Sequence, residues 1–318
     1  MTQRLKDYRL WCLLFALIAM LVLIIIPGKK QKSPTYNYTF IIDITRSMNA
    51  TDYQQDNQAI SRLSFVKQTL REVLRDLPCQ SKVGLGLFTE RRSTLLFEPL
   101  EVCSAYTEID TVISKIDWRM AWAADSNIAK GLLSTLDMLK KSDSSVIFIT
   151  DGQEAPPVNA NYQADFSSLR GQAKGMIIGV GGLQTVPIPK FNSQGEQTGF
   201  YKPEDVPHRS SFGQSTLDPS QIKGYDARNA PFGNDVVTGS EHLTALQETY
   251  LEKLGAESGL DYARLTDLKS LGLALKNTRL ATEKVVETDI RWQSALLALL
   301  MSSIVYLPKV TLSRRFFG

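Results

Sequence analysis

Residues 37–47 read Asn37-Tyr-Thr-Phe-Ile-Ile-Asp43-Ile-Thr45-Arg46-Ser47. An apolar run that ends in a carboxylate has the make-up of a buried strand delivering its last side chain to a loop. Two hydroxyl side chains then follow at every second position. Asp43 contributes charge, and Thr45 and Ser47 contribute neutral oxygens. Hard divalent cations such as Mg2+ and Ca2+ take oxygen ligands of both kinds and keep part of their water shell. One loop therefore supplies most of a cation site.

Two more segments carry oxygen ligands in comparable settings. Asp125-Ser126-Asn127 stands immediately before a helical pattern, and Ser126 is well placed to cap it. Ile149-Thr150-Asp151-Gly152 closes a second apolar strand. Thr150 suits packing or capping better than metal binding, and Asp125 suits an outer-shell or a turn role.

Around these segments the chain alternates between short apolar strands and helices. Strands are predicted over 36–43, 145–150, 175–180 and 260–265. Helices are predicted over 59–77, 105–115, 127–141, 163–173, 241–257 and 266–281. In the first helix Leu63, Val66, Leu70, Val73, Leu74 and Leu77 recur at three- and four-residue intervals. Residues 82–100 read as a hairpin turning at Thr89–Thr94. The pattern predicts an α/β domain over 36–283: a mostly parallel sheet with one antiparallel edge strand and helices on both faces. In such sheets ligands sit at the carboxyl ends of the strands. Residues 183–240 are rich in Pro, Gly, Ser and Asn and form an irregular insertion too long for a simple loop.

Composition excludes several classes. The 36 basic and 33 acidic residues leave a net charge of +3, too near neutral for a nucleic-acid surface. Two histidines and three cysteines, with no CxxC or HExxH spacing, leave little material for zinc. His208 reads as a solvated loop residue. Gly179-Val-Gly181-Gly182 lacks the later glycine and the acidic partner of a dinucleotide fingerprint.

Leu10–Ile26 and Trp292–Pro308 carry no charge. They are expected as transmembrane helices over 10–27 and 291–308, with a cleaved signal and a buried core helix as their respective alternatives. Lys309, Arg314 and Arg315 would hold the tail at 309–318 in the cytoplasm together with residues 1–9. The domain between the spans would then face the periplasm of a bacterial inner membrane. Cys79 and Cys103 flank the predicted hairpin and would face each other if its turn centres near residue 91. They then form a disulfide, which needs an oxidising compartment; otherwise they are two unpaired cysteines.

The Asp43-Ile-Thr45-Arg-Ser47 loop, Ser126 before a helix and Asp151 in a Thr-Asp-Gly turn together resemble the von Willebrand factor A family and its metal-ion-dependent adhesion site. Thr45 stands where the family usually has Ser, Ser126 where it usually has Thr, and Arg46 where it usually has Gly. The first two changes keep a hydroxyl. The resemblance implies one divalent ion, Mg2+ or Ca2+, touched by Thr45, Ser47 and Ser126, with Asp43 and Asp151 mainly bonding its waters. Arg62-Leu63 with Lys67 and Val186-Pro-Ile-Pro189 resemble bacterial membrane-anchored members. These include Bat-type proteins and accessory proteins of periplasmic methanol dehydrogenase.

The function this implies is a non-enzymatic docking module. A partner's Asp or Glu would complete the metal shell, and the chain would act in assembly of, or metal insertion into, a periplasmic enzyme such as methanol dehydrogenase. Other von Willebrand factor A or membrane accessory subunits are further partners. One alternative is a structural membrane-complex subunit whose metal serves stability alone. Another is a Mg2+-dependent phosphohydrolase, which Thr45 argues against because it cannot shuttle a proton near neutral pH.

Overall fold

Strand β1 (Gly28–Asp43) explains why the sheet is covered on both sides. Its Tyr36, Tyr38, Phe40 and Ile42 enter one apolar cluster, and Ile41 enters another. Successive strand side chains point to opposite faces, so each alternate set needs its own core. Strands β6 (Ser145–Thr150) and β7 (Gly175–Val180) repeat the pattern. Ile147, Ile149, Met176, Ile178 and Val180 join the first cluster, and Val146, Phe148 and Ile177 the second. Every residue of both strands is buried, as parallel strands between helical layers are.

The computed structural model describes residues 8–25, 28–121, 126–155, 164–192, 194–206, 240–276, 278–289 and 291–306. It divides into two units: Pro34–Thr282, and Met1–Ser33 with Glu283–Gly318. The central sheet runs in the order β12 (Asp261–Leu265), β7, β6, β1, β4 (Lys82–Thr89), β5 (Arg92–Glu101), and β13 (Ala281–Asp289) pairs with β1 beside that path. The first four pairings are parallel, and β4 with β5 is antiparallel. The expected α/β sheet with one antiparallel edge strand is therefore present.

Helix α2 (Arg62–Asp76) buries Leu63, Phe65, Val66, Leu70, Val73 and Leu74 in the first cluster, where α3 (Tyr106–Lys115) adds Ile109 and Ile113. On the other face α4 (Ile128–Leu139) buries Ile128, Leu132, Leu136 and Leu139 beside Leu251 and Leu254 of α5 (Glu248–Ser258). Gly131 lets α4 lie directly on the ring of Phe88, where an added methyl group would collide.

Several helices differ from expectation. Residues 167–173 form turns. Helix α5 starts only at Glu248, because Leu243–Thr244 is a strand, β11, paired with β8 (Val186–Pro187). Helix α6 covers only Ser270–Leu275: the Asp267 carboxylate accepts from the Ser270 N–H and fixes the start there. The insertion is less irregular than its composition suggests. It holds β8, β9 (Pro189–Phe191) and β10 (Gln197–Phe200), with Ile188, Tyr201 and Val206 as a small apolar cluster. Residues 207–239, and with them His208, lie outside the described residues.

The expected flanking transmembrane helices are corrected. Among the described residues no helix is long and apolar enough to cross a membrane. Helix α1 (Tyr8–Ile25) has 18 residues and α7 (Arg291–Val305) has 15. At 1.5 Å per residue they reach about 27 Å and about 22 Å, short of a hydrocarbon core of about 30 Å. Gln293, Ser294, Ser302 and Ser303 further dilute α7. The tail at 309–318 and residues 1–7 lie outside the described residues. Within their own unit α1 and α7 contact each other, and Ala16, Ala19 and Ala298 are buried.

Cys79 and Cys103 are joined in a disulfide, with their Cα atoms 5.3 Å apart. The β4–β5 register, which sets Lys82 opposite Glu101, brings them together.

Candidate metal centre

β1 and β6 lie side by side with Ile42 opposite Ile149, so Asp43 and Thr150 come next on neighbouring strands. The Thr150 hydroxyl donates to Asp43 Oδ2 at 2.6 Å, and the Thr45 N–H donates to Asp43 Oδ1 at 2.8 Å. The loop then winds into a short 3-10 turn, Arg46–Asn49. This turn buries the Thr45 and Ser47 hydroxyls 3.4 Å apart.

Asp151 leaves β6 in a turn that Gly152 makes possible, with φ at +78°. The Gly152 N–H donates to Thr150 Oγ1 at 3.0 Å, so Thr150 caps the turn while it orients Asp43. Asp151 Oδ1 accepts from the Gln153 N–H at 3.0 Å. Its Oδ2 accepts from Arg62 Nη1 at 2.6 Å and from the Thr244 hydroxyl at 3.4 Å.

Ser126 reaches the same edge by another route. It bridges Glu90, just past β4, and Ala155, just past the Asp151 turn. Its N–H donates to the Ala155 carbonyl at 2.6 Å and its carbonyl accepts from the Ala155 N–H at 2.8 Å. Ser126 is not the cap of α4. Asn127 takes that role, accepting from the Lys130 N–H at 3.1 Å. Among the described residues the Ser126 hydroxyl is left buried with no hydrogen-bond partner.

Burial first, and the neighbouring Asp151 carboxylate second, push the Asp43 carboxyl well above the ordinary carboxylate range, while the bonds from Thr150 and Thr45 pull the other way. Glu154 behaves similarly. Burial pushes it up to about 7 against the Tyr250 hydroxyl and the Ala129 N–H, which both donate to it.

The donor set fits a hard divalent cation. Thr45, Ser47 and Ser126 offer hydroxyl oxygens, and Asp43 and Asp151 offer carboxylates. The Ser126 hydroxyl is the clearest sign. A buried polar atom without a partner costs about 1–3 kcal/mol, which a bound ion would offset. Among the described residues the one group of three His, Cys, Asp or Glu side chains close enough to share a metal is Cys79, Glu101 and Cys103, and its two sulfurs are bonded to each other.

Two site residues escape the sequence reading. Arg62 is fully buried and grips Asp52 through Nε and Nη2 at 2.7–3.1 Å while its Nη1 holds Asp151. A cation at the first position of a helix opposes the helix dipole, a local hint that carboxylates must face it. The other, Glu154, ties the Asp151 turn to the start of α4.

Residues 38–153 match the model of the von Willebrand factor type A domain. Over those residues the chain is similar to such a domain. Its matched segment contains all five candidate ligand positions. No curated protein matches the chain. Among solved structures it is similar to an aerotolerance-related membrane protein from Bacteroides fragilis, at 18% identity and a TM-score of 0.48, covering 76% of this chain and 96% of that one. It is also similar to BatB from Bacteroides thetaiotaomicron, at 16% identity and 0.49, covering 76% and 95%. A third likeness is to the ArnB paralog VWA2 from Sulfolobus acidocaldarius, at 12% identity and 0.38, covering 78% and 46%.

Proposed function

We propose that this von Willebrand factor type A domain binds one divalent cation, Mg2+ or Ca2+, and docks a partner whose Asp or Glu completes the ion's shell. Thr45, Ser47 and Ser126 would touch the ion, and Asp43 and Asp151 would hold its waters. The observation that carries this reading is the buried, unpartnered Ser126 hydroxyl at the edge where Asp43 and Asp151 also end. The insertion stands beside the loop. The Arg46 guanidinium lies over the Tyr201 ring, 5.0 Å from its centroid, and Trp118 packs on Phe191 at 5.4 Å. Such a wall would shape what a partner can present to the ion. The Cys79–Cys103 disulfide supports work in an oxidising compartment, which in a bacterium is the periplasm. The chain would serve there as a non-catalytic accessory factor in assembly or metallation of an enzyme, with methanol dehydrogenase the first to try.

The test is affinity capture on the 318-residue chain with Mg2+ or with chelator. Partner capture is expected with Mg2+ and should be lost with chelator and in Asp43→Ala and Asp151→Ala. Capture that survives chelator would sink the docking reading. A fall in stability without a fall in capture would favour a metal that serves the fold alone.

A further inference from the structure

We infer that Arg62 is a resident counter-cation that stands in for the divalent ion while the site is empty and weakens the ion's binding when it arrives. This rests on the metal reading above and goes beyond it by assigning a residue outside the five ligand positions. Three carboxylates come together here: Asp43, fully buried; Asp151, fully buried; and Asp52, whose side chain is 7% exposed. Arg62 serves two of them. Its Nη2 lies 2.7 Å from Asp52 Oδ2 and its Nη1 2.6 Å from Asp151 Oδ2. Among the described residues Asp43 has no cationic partner; its contacts are the Thr45 N–H and the Thr150 hydroxyl.

The guanidinium is also fixed in place. The chain passes it at Gly181, whose φ is +117° and where a Cβ would lie 2.7 Å from Arg62 Nε. Asp52 is in turn held by the Gly182 N–H at 2.8 Å, and the Thr244 hydroxyl accepts from Arg62 Nη1 at 2.9 Å. A rigid fork suits this position, because Nε and Nη2 face Asp52 while Nη1 faces Asp151 and Thr244, and the donors of an ammonium all leave from one atom.

The consequence is electrostatic. An ion bound by Thr45, Ser47 and Ser126, with its waters on Asp151, must share that carboxylate with Arg62. The two cations repel across a site of low dielectric, so the ion binds more weakly than the oxygen set alone would allow. Arg62 is a positioning residue in this scheme and never touches the ion.

The experiment is a Mn2+ titration of the 318-residue chain, with free Mn2+ read by electron paramagnetic resonance. Arg62→Gln removes the charge and is expected to bind Mn2+ about tenfold or more tightly than the parent. Its gain in melting temperature on adding Mn2+ should be correspondingly larger. Arg62→Lys keeps the charge and should stay close to the parent affinity while losing stability. A merely structural Arg62 would lower stability in both variants and leave the affinity of neither improved. Should Arg62→Gln fail to fold, Arg62→Gln with Asp52→Asn leaves Asp151 as the one carboxylate robbed of its partner, and the same tightening is expected. Binding to Arg62→Gln, or to that double variant, that equals or falls below the parent's overturns the inference while the metal reading stands. No Mn2+ binding by parent and variants alike overturns both.

Discussion

Asp43 ends β1 and Asp151 directly follows the neighbouring β6, and both are fully buried, yet they are held in opposite ways. Asp151 is bonded to a guanidinium, a hydroxyl and a backbone N–H. Among the described residues Asp43 has only neutral donors, from Thr45 and Thr150. Burying a charge is costly unless it is paired. One carboxylate therefore carries its compensation within the fold, and the other is complete only when something positive is added. A site built this way has a ready place for a cation without collapsing when the cation is absent.

Breaking the pair at Asp151 gives the largest expected effect. Asp151→Asn strips Arg62 of one of its two carboxylates, and losing one partner of a buried ion pair costs about 3 kcal/mol or more. Asp43→Asn should differ. Its amide oxygen keeps the Thr45 N–H, and the Thr150 hydroxyl can rotate to accept instead of donate. It also removes the repulsion from Asp151, so a change within about 1 kcal/mol of zero is expected. Urea unfolding in chelator measures both, and equal losses would erase the distinction between the two carboxylates.

That contrast is invisible in the sequence, and the reason is separation. Asp43, Thr45 and Ser47 are readable because their spacing along one strand and loop is itself the geometry. Asp151 is readable as a strand end. The Arg62–Asp151 bond joins residues 89 apart in the chain, and nothing local says which carboxylate a buried arginine will meet. Ser126 is misread for a related reason. Serine and asparagine are comparable helix caps and stand side by side here, so capping chemistry cannot choose between them. The bridges to Glu90 and Ala155 choose, and those need the folded sheet. The terminal apolar runs are legible as helices, but the absence of charge does not fix how far a helix extends, and among the described residues α1 covers Tyr8–Ile25 and α7 Arg291–Val305.

Glu154 sharpens the comparison with a smaller effect, because it belongs with Asp43: buried, hydrogen-bonded by the Tyr250 hydroxyl and the Ala129 N–H, and lacking a cation in contact among the described residues. Its folded pKa, about 7, lies above the ordinary 4.5, so the folded chain holds the proton more tightly than the unfolded one. The stability linked to that proton is complete below about 4.5 and is lost as pH rises through about 7. Glu154→Gln keeps the site neutral at every pH. It should be more stable than the parent at pH 8 by on the order of 3 kcal/mol and indistinguishable from it near pH 4. Thermal melts across that range in chelator decide the matter. A pH-independent difference would mean that the carboxyl is paired with charge, as Asp151 is.

Ser126→Ala asks the least of stability and the most of the metal reading. Among the described residues the hydroxyl has no partner, so in chelator removing it forfeits no bond and relieves a buried, unsatisfied oxygen. The expected change is between zero and a gain of about 1 kcal/mol. With Mn2+ present the sign reverses: the ion loses a direct oxygen ligand, and affinity should fall about tenfold. A hydroxyl that served only packing would make the alanine variant neutral in both conditions. A variant that gains stability without the ion and loses affinity for it would show that Ser126 is left unpaired by the fold because its partner is the ion.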